Sequence, residues 1–124
     1  LRVMSRLFIY GTLKRGGRSH ARLSRHQFLG LACTTPHYRL YRLDGYPGLV
    51  ADSAATVGIQ GELWEVDAAG LAELDAFEGL AEGLYRRERV TLSEPAGHPP
   101  VDAYVYARSV TGREMLGPVW TEPR

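Results

Sequence analysis

The chain has 124 residues, 44% of them hydrophobic and 23% charged, with a formal net charge of +1. We expect one globular domain over residues 1–124, because this size and composition suit a single core. The near-zero charge gives no global field for nucleic acid, and no apolar run is long enough to cross a bilayer. With one cysteine, Cys33, and no expected signal peptide, the predicted location is the cytoplasm. The pattern indicates no oligomeric state.

In the first half of the chain, short apolar runs alternate with glycine-rich turns. The pattern predicts a strand over residues 7–10, a loop over 11–17, a helix over 19–27, a strand over 38–43, a turn over 44–48 and a strand from 49. The predicted helix would be capped by Ser19 and would turn Leu23 inward.

In the second half, one helix stands between strands. The pattern predicts a strand over residues 58–66, a helix over 68–78 capped by Asp67, strands over 85–92 and 101–108, a loop over 93–100 and an irregular tail from 111. About five or six strands and two short helices, without a βαβ rhythm, favour an α+β fold. We expect a mostly antiparallel, barrel-like sheet with the helices packed on it.

The second predicted helix places an acid within its apolar stripe. Leu71, Leu74 and Glu78 are spaced so that Glu78 lies about 20° from Leu71 around the helix axis. A carboxylate at that position is partly desolvated, which raises its pKa and suits it to exchange protons near neutrality. The alternative is that Glu78, in the last turn, reaches solvent along its long stem.

The loop that follows the first strand begins Tyr10-Gly11-Thr12-Leu13. Glycine allows backbone N–H groups to turn toward a ligand, and successive N–H groups form a concave site for a carboxylate or an oxyanion. The alternative is an ordinary turn at the end of a strand. The spacing matches neither a phosphate-binding P-loop nor a dinucleotide-binding glycine motif.

Other candidate sites are weaker on residue pattern alone. The basic residues between 14 and 25 could contact RNA, but no aromatic residues interleave with them, so a solvated helix face is the better interpretation. The four histidines show no metal-ligand spacing, and Cys33 has no neighbouring base. We therefore expect no metal and a structural thiol.

Six stretches of the chain, in this order, resemble the γ-glutamylcyclotransferase-like superfamily, in particular its γ-glutamylamine cyclotransferase and AIG2-like branch. They are residues 8–16 (Phe-Ile-Tyr-Gly-Thr-Leu-Lys-Arg-Gly), 46–50 (Tyr-Pro-Gly-Leu-Val), 58–64 (Gly-Ile-Gln-Gly-Glu-Leu-Trp), 74–79 (Leu-Asp-Ala-Phe-Glu-Gly), 85–87 (Tyr-Arg-Arg) and 103–106 (Ala-Tyr-Val-Tyr). The first stretch together with Asp-x-x-Glu-Gly at this separation is the most specific part.

The resemblance implies a barrel-like fold with a central cavity and a cofactor-independent enzyme that forms 5-oxoproline from a small γ-glutamyl substrate. It implies Glu78 as the acid/base, Tyr10, Gly11, Thr12 and Leu13 as the loop that binds the glutamyl group, and Tyr85 beside the pocket. Residues 79–84 lack a proline often found there, which leaves the leaving group open. The alternatives are an inactive small-molecule binding module on the same fold and an RNA-binding protein.

Overall fold

The computed structural model describes residues 3–123, within which eight strands form one sheet that curls like part of a barrel. The strands are Met4–Ile9 (β1), Gln27–Thr34 (β2), Tyr38–Arg42 (β3), Pro47–Ala51 (β4), Gln60–Asp67 (β5), Tyr85–Val90 (β6), Leu92–Glu94 (β7) and Val101–Tyr106 (β8). One α-helix, Ala68–Phe77 (α1), and a short 3-10 helix, His20–Leu23, complete the described elements. No helix in residues 3–123 has the length and apolar character needed to cross a membrane.

The sheet branches at β8. This strand pairs with β6 along its whole length, so its other edge is shared by β1 and β4. β1 lies parallel to β8 at Asp102 and Ala103, and β4 takes over at Val105. The remaining pairs, β1–β5, β2–β5, β2–β7 and β3–β4, are antiparallel, as is β6–β8. The chain of β1 therefore leaves the sheet where β4 enters it.

Both faces of the sheet are covered by apolar side chains, because successive strand residues point to opposite faces. On β1, Phe8 packs in one cluster and Leu7 and Ile9 in the other. β8 divides in the same way, with Ala103 in the first cluster and Tyr104 in the second. The second cluster also receives buried residues of the covering elements, Leu23 and Leu74. It is the face beneath α1.

The helix α1 begins where the sequence predicts and ends one residue earlier. The Asp67 side chain accepts a hydrogen bond from the Gly70 N–H at 2.8 Å, which satisfies a donor at the first turn. The helix ends at Phe77, and Glu78 caps it in an αR conformation. Gly79 follows at φ +70°, a left-handed conformation that glycine adopts without strain. Leu74 is buried against the sheet, so the helix holds its C-terminal end over the second cluster.

The α+β, mostly antiparallel, barrel-like fold is confirmed, but two predicted details are wrong. The helix predicted over residues 19–27 is only the 3-10 helix, although Leu23 is buried as expected. The following residues form β2, which pairs with β5 and packs Phe28 on Trp64, so long-range pairing overrides the local pattern. The strand count is therefore eight rather than five or six, since β7 also pairs with β2.

Candidate active site

A cavity of about 390 Å³ opens where β1 ends, between the sheet and the C-terminal end of α1. Its walls come from β1, the loop that follows it, the β3–β4 turn, the end of α1, and strands β6 and β8. Its lining comprises Phe8, Ile9, Tyr10, Gly11, Thr12, Leu13, Arg18, Ser19, Tyr46, Pro47, Phe77, Glu78, Leu84, Tyr85 and Tyr104. All six residues predicted for the site are in this lining.

Glu78 carries the cavity's acidic group. Its backbone N–H donates to the Leu74 carbonyl at 2.8 Å, so the end of α1 fixes its position. Within residues 3–123 its carboxylate has no ion pair, and burial raises its pKa from 4.5 to about 7. Burial is the main cause that raises the pKa of Tyr10, Tyr85 and Tyr104, and the negative charge of Glu78 is one of the further causes for each, so Glu78 lies near three phenols. A carboxyl group with a pKa near neutrality can both accept and donate a proton.

The loop after β1 lines the cavity, and three of its amides lack a protein acceptor. The N–H groups of Gly11, Thr12 and Leu13 have no protein acceptor among the described residues. At Gly11 a β-carbon would stand 2.9 Å from the Pro47 ring, so only glycine permits this approach of the loop to β4. Three successive free N–H groups suit a carboxylate or an oxyanion.

The outer side of the same loop is tied to the protein. Glu62 of β5 is buried and accepts from the Arg15 N–H and from Arg15 Nε, both at 3.0 Å, and from Trp64 Nε1 at 3.1 Å. Lys14 Nζ donates to the Trp120 carbonyl at 2.8 Å, and burial lowers the pKa of Lys14. These contacts fix the loop at Lys14 and Arg15 and leave the N–H groups of residues 11–13 without a protein acceptor among the described residues.

Tyr10 and Tyr85 use their hydroxyls to hold the backbone rather than to face the cavity's contents. The Tyr10 hydroxyl donates to the Tyr104 carbonyl of β8 and accepts from the Leu49 N–H of β4 at 3.1 Å. The Tyr85 hydroxyl donates to the Pro47 carbonyl at 2.7 Å. Both rings therefore shape the wall, and their hydroxyls connect the strands around it.

Asp75, three residues before Glu78, is paired with a cation and a hydroxyl. Its Oδ1 accepts from Arg87 Nε and from the Tyr104 hydroxyl, each at 2.8 Å. Arg87 also contacts Asp102 at 3.1 Å, so a chain of charges joins α1 to β6 and β8. Asp75 is thus a structural acid that fastens the helix, and Glu78 is left as the acid of the cavity.

Several lining residues were not singled out from the sequence as site residues. Those are Phe8, Ile9, Arg18, Ser19, Tyr46, Pro47, Phe77, Leu84 and Tyr104. The stretches that resemble the family contain six of them, which is the signal that could have indicated them: Phe8, Ile9, Tyr46, Pro47, Phe77 and Tyr104. The prediction that the basic residues lie on a helix face is wrong for residues 14–18, which form the loop; Arg18 is exposed and also lines the cavity. Among residues 3–123 no group of three His, Cys, Asp or Glu is arranged to hold a metal ion.

Comparison with known proteins places these features in a family. The family described as "Gamma-glutamyl cyclotransferase, AIG2-like" matches residues 7–121. A candidate γ-glutamylcyclotransferase of Vibrio cholerae is 38% identical over 107 residues, covering 86% of this chain and 84% of that protein. A γ-glutamylcyclotransferase family protein of Escherichia coli K12 is 36% identical over 112 residues, covering 90% of each.

The fold is shared as well. The crystal structure of an AIG2-like protein of Mus musculus superposes with a TM-score of 0.65 at 30% identity, over 86% of this chain and 78% of that one. Matching sequence and matching fold over most of the chain lead to one conclusion: this protein belongs to the AIG2-like γ-glutamyl cyclotransferase family.

Proposed function

We propose that this protein is a γ-glutamylcyclotransferase that releases 5-oxoproline from a γ-glutamyl compound, with Glu78 as its general acid/base. The observation that carries the proposal is Glu78 itself, a half-buried carboxylate in a cavity, with a pKa of about 7. The same cavity is lined by Gly11, Thr12 and Leu13, whose N–H groups have no acceptor among the described residues. A proton acceptor and a set of oxyanion donors are the two elements that acyl transfer to an internal amine requires.

The proposed reaction joins two atoms of the same substrate. The α-amine nitrogen attacks the γ-carbonyl carbon, closing the five-membered ring, and the bond from that carbon to the departing nitrogen breaks. The α-amine attacks as its free base; Glu78 accepts the proton that this nitrogen loses on bonding to the γ-carbon, and gives that proton to the departing nitrogen. The products are 5-oxoproline and a free amine, with no covalent intermediate on the protein.

The remaining lining residues favour this reaction by orientation. The N–H groups of residues 11–13 bind the substrate's α-carboxylate or the oxygen that becomes negative during attack. Tyr10 and Tyr85 form a rigid wall, because their hydroxyls are already bonded to the backbone. Holding a flexible chain in its cyclising shape supplies a large part of the acceleration.

Kinetics with purified protein tests the proposal. We expect 5-oxoproline from at least one member of a panel of γ-glutamylamines and γ-glutamyl dipeptides. The Glu78→Gln change keeps the shape but removes the base, so kcat should fall by about 10² to 10⁴-fold. For the active protein kcat/KM should fall as pH drops below about 7, because protonated Glu78 cannot accept a proton.

The matched control is Glu73→Gln, which changes an exposed glutamate on the same helix and should leave kcat unchanged. Substrate binding, measured by titration calorimetry, should persist in the Glu78→Gln protein. If no substrate of the panel yields 5-oxoproline, or if Glu78→Gln turns over at the normal rate, the proposal is wrong. The first result would favour a binding module on the same fold.

A further inference from the structure

The cavity contains a second charged group that the proposed chemistry does not use. Of the described residues that line it, only Glu78 and Arg18 are charged. Glu78 is partly buried, whereas Arg18 is exposed, so the acid lies deeper and the cation stands at the mouth. Within residues 3–123 no ion pair joins Arg18 to an acid, including Glu78.

The position of Arg18 is set by its backbone and by the turn opposite. Its backbone N–H donates to Glu122 Oε1 at 2.9 Å, which fixes the backbone of Arg18. Both terminal guanidinium nitrogens lie 3.6 Å from the place where a β-carbon would stand on Gly45. The guanidinium therefore extends across to the β3–β4 turn, whose Tyr46 also lines the cavity.

Asp44, the acid of the β3–β4 turn, does not pair with Arg18. It is exposed and pairs with Arg113 at 3.2 Å. Two donor groups for anions therefore stand in one cavity: the amides of residues 11–13 and the guanidinium of Arg18. A γ-glutamyl group has only one carboxylate of its own, and the amides near Glu78 can hold it.

Arg18 is then left for a second anionic group. With the reacting atoms beside Glu78, the part of the substrate nearest the mouth is the leaving group. A guanidinium presents paired N–H donors that match a carboxylate, and an arginine without a protein partner loses no existing ion pair on binding one.

We propose that Arg18 is a specificity-determining residue that binds a carboxylate on the leaving group, so that the protein prefers γ-glutamyl groups attached to amino acids over those attached to simple amines. This inference rests on the proposed function, which places the reacting atoms beside Glu78 and the leaving group at the mouth of the cavity. It assigns a ligand class to the mouth of the site, where residue pattern alone predicted only a solvated charge.

A matched pair of substrates isolates the carboxylate. L-γ-glutamyl-L-alanine and L-γ-glutamylethylamine differ only in that group, and we expect kcat/KM to favour the first by roughly 5- to 50-fold. In Arg18→Gln the ratio of the two kcat/KM values should fall to about one, because kcat/KM for the alanine compound alone decreases. Arg18→Lys should keep part of the preference, since it retains charge without the paired donors. The control Arg25→Gln, an exposed arginine outside the lining, should keep the full ratio.

Equal kcat/KM for the two compounds would overturn the inference while leaving the cyclotransferase proposal intact. Equal losses on both compounds in Arg18→Gln would overturn it as well, because the arginine would then bind the glutamyl end. If neither compound yields 5-oxoproline, the wider substrate panel decides the proposed function, and titration calorimetry with this pair decides the arginine's role. Tighter binding of the alanine compound that depends on Arg18 supports the inference, and equal binding rejects it.

Discussion

Glu78 and Asp75 are acids one helical turn apart with opposite environments. Asp75 is compensated by Arg87 and by the Tyr104 hydroxyl. Glu78 lies near three phenols and forms no ion pair within residues 3–123, and burial raises its pKa to about 7. Leaving a carboxylate desolvated and unpaired costs folding free energy, so its retention at the wall of a cavity is the physical reason to assign it chemistry.

This cost should be visible in the pH dependence of stability. The unfolded chain releases the Glu78 proton near 4.5, and the folded chain holds it to about 7. Between these values the unfolded state binds fewer protons, so the free energy of unfolding decreases as pH rises. The total loss is about 3 kcal/mol, complete above pH 7 and absent below 4.5.

Urea unfolding of the normal protein and of Glu78→Gln at several pH values measures this effect. The variant should gain stability relative to the normal protein as pH rises from 5 to 8, because glutamine has no proton to lose. Glu73→Gln, on the exposed side of the same helix, should track the normal protein at every pH. A difference between Glu78→Gln and the normal protein that does not change with pH would show that Glu78 is solvated.

Among the secondary-structure elements, the junction of β1, β4 and β8 decides where the cavity lies. β8 changes partner between Ala103 and Val105, and the two strands that share its edge must diverge there. The Tyr10 hydroxyl fills this gap by bonding to one backbone group on each of β4 and β8. Tyr10, which directly precedes the predicted loop, is therefore also a link between strands.

Tyr10→Phe separates the role of the ring, which forms part of the cavity wall, from the role of the hydroxyl, which links β4 to β8. It leaves a buried carbonyl and a buried N–H without their partner, so we expect stability to fall by about 1 to 3 kcal/mol. The aromatic wall stays, so kcat should fall far less than in Glu78→Gln. Thermal unfolding and 5-oxoproline release check the two expectations.

The control is Tyr41→Phe, because the Tyr41 hydroxyl on β3 makes no hydrogen bond within the described residues and lies outside the cavity. Its stability should change little. A Tyr10→Phe protein that is as stable as the control, yet inactive, would give the hydroxyl a direct role in the reaction instead.

Across the whole molecule, the C-terminal tail closes the structure around the loop. The tail has little regular structure, but the Pro118 carbonyl accepts from Gln60 N at 2.8 Å and Leu116 N donates to Leu40 at 2.9 Å. Trp120 is buried in the first cluster, and its carbonyl accepts from Lys14 Nζ. The last described residues thus connect both halves of the sheet with the loop after β1.

Trp120→Ala should therefore destabilise the protein as a core substitution does, by about 3 to 5 kcal/mol. The tryptophan is only 3% exposed, whereas its neighbour Val119 is 45% exposed. Val119→Ala is the matched control and should change stability by less than about 0.5 kcal/mol. Urea unfolding measures both, and equal values for the two variants would show that the tail is not part of the core.

The sequence by itself determined the features that depend on local chemistry: the capped helix, the alternating strands, and an acid at an apolar helix position. Its resemblance to a family also indicated the residues that line the cavity's centre. Only the tertiary structure decided that the residues after Leu23 extend into β2, because the partner strand β5 lies more than twenty residues away. It likewise decided that Arg18 faces the cavity, since its neighbours there come from the distant β3–β4 turn. The periodicity of a sequence indicates which side chains share one face of a single helix or strand. It does not indicate which elements come together, and the cavity forms where several elements meet.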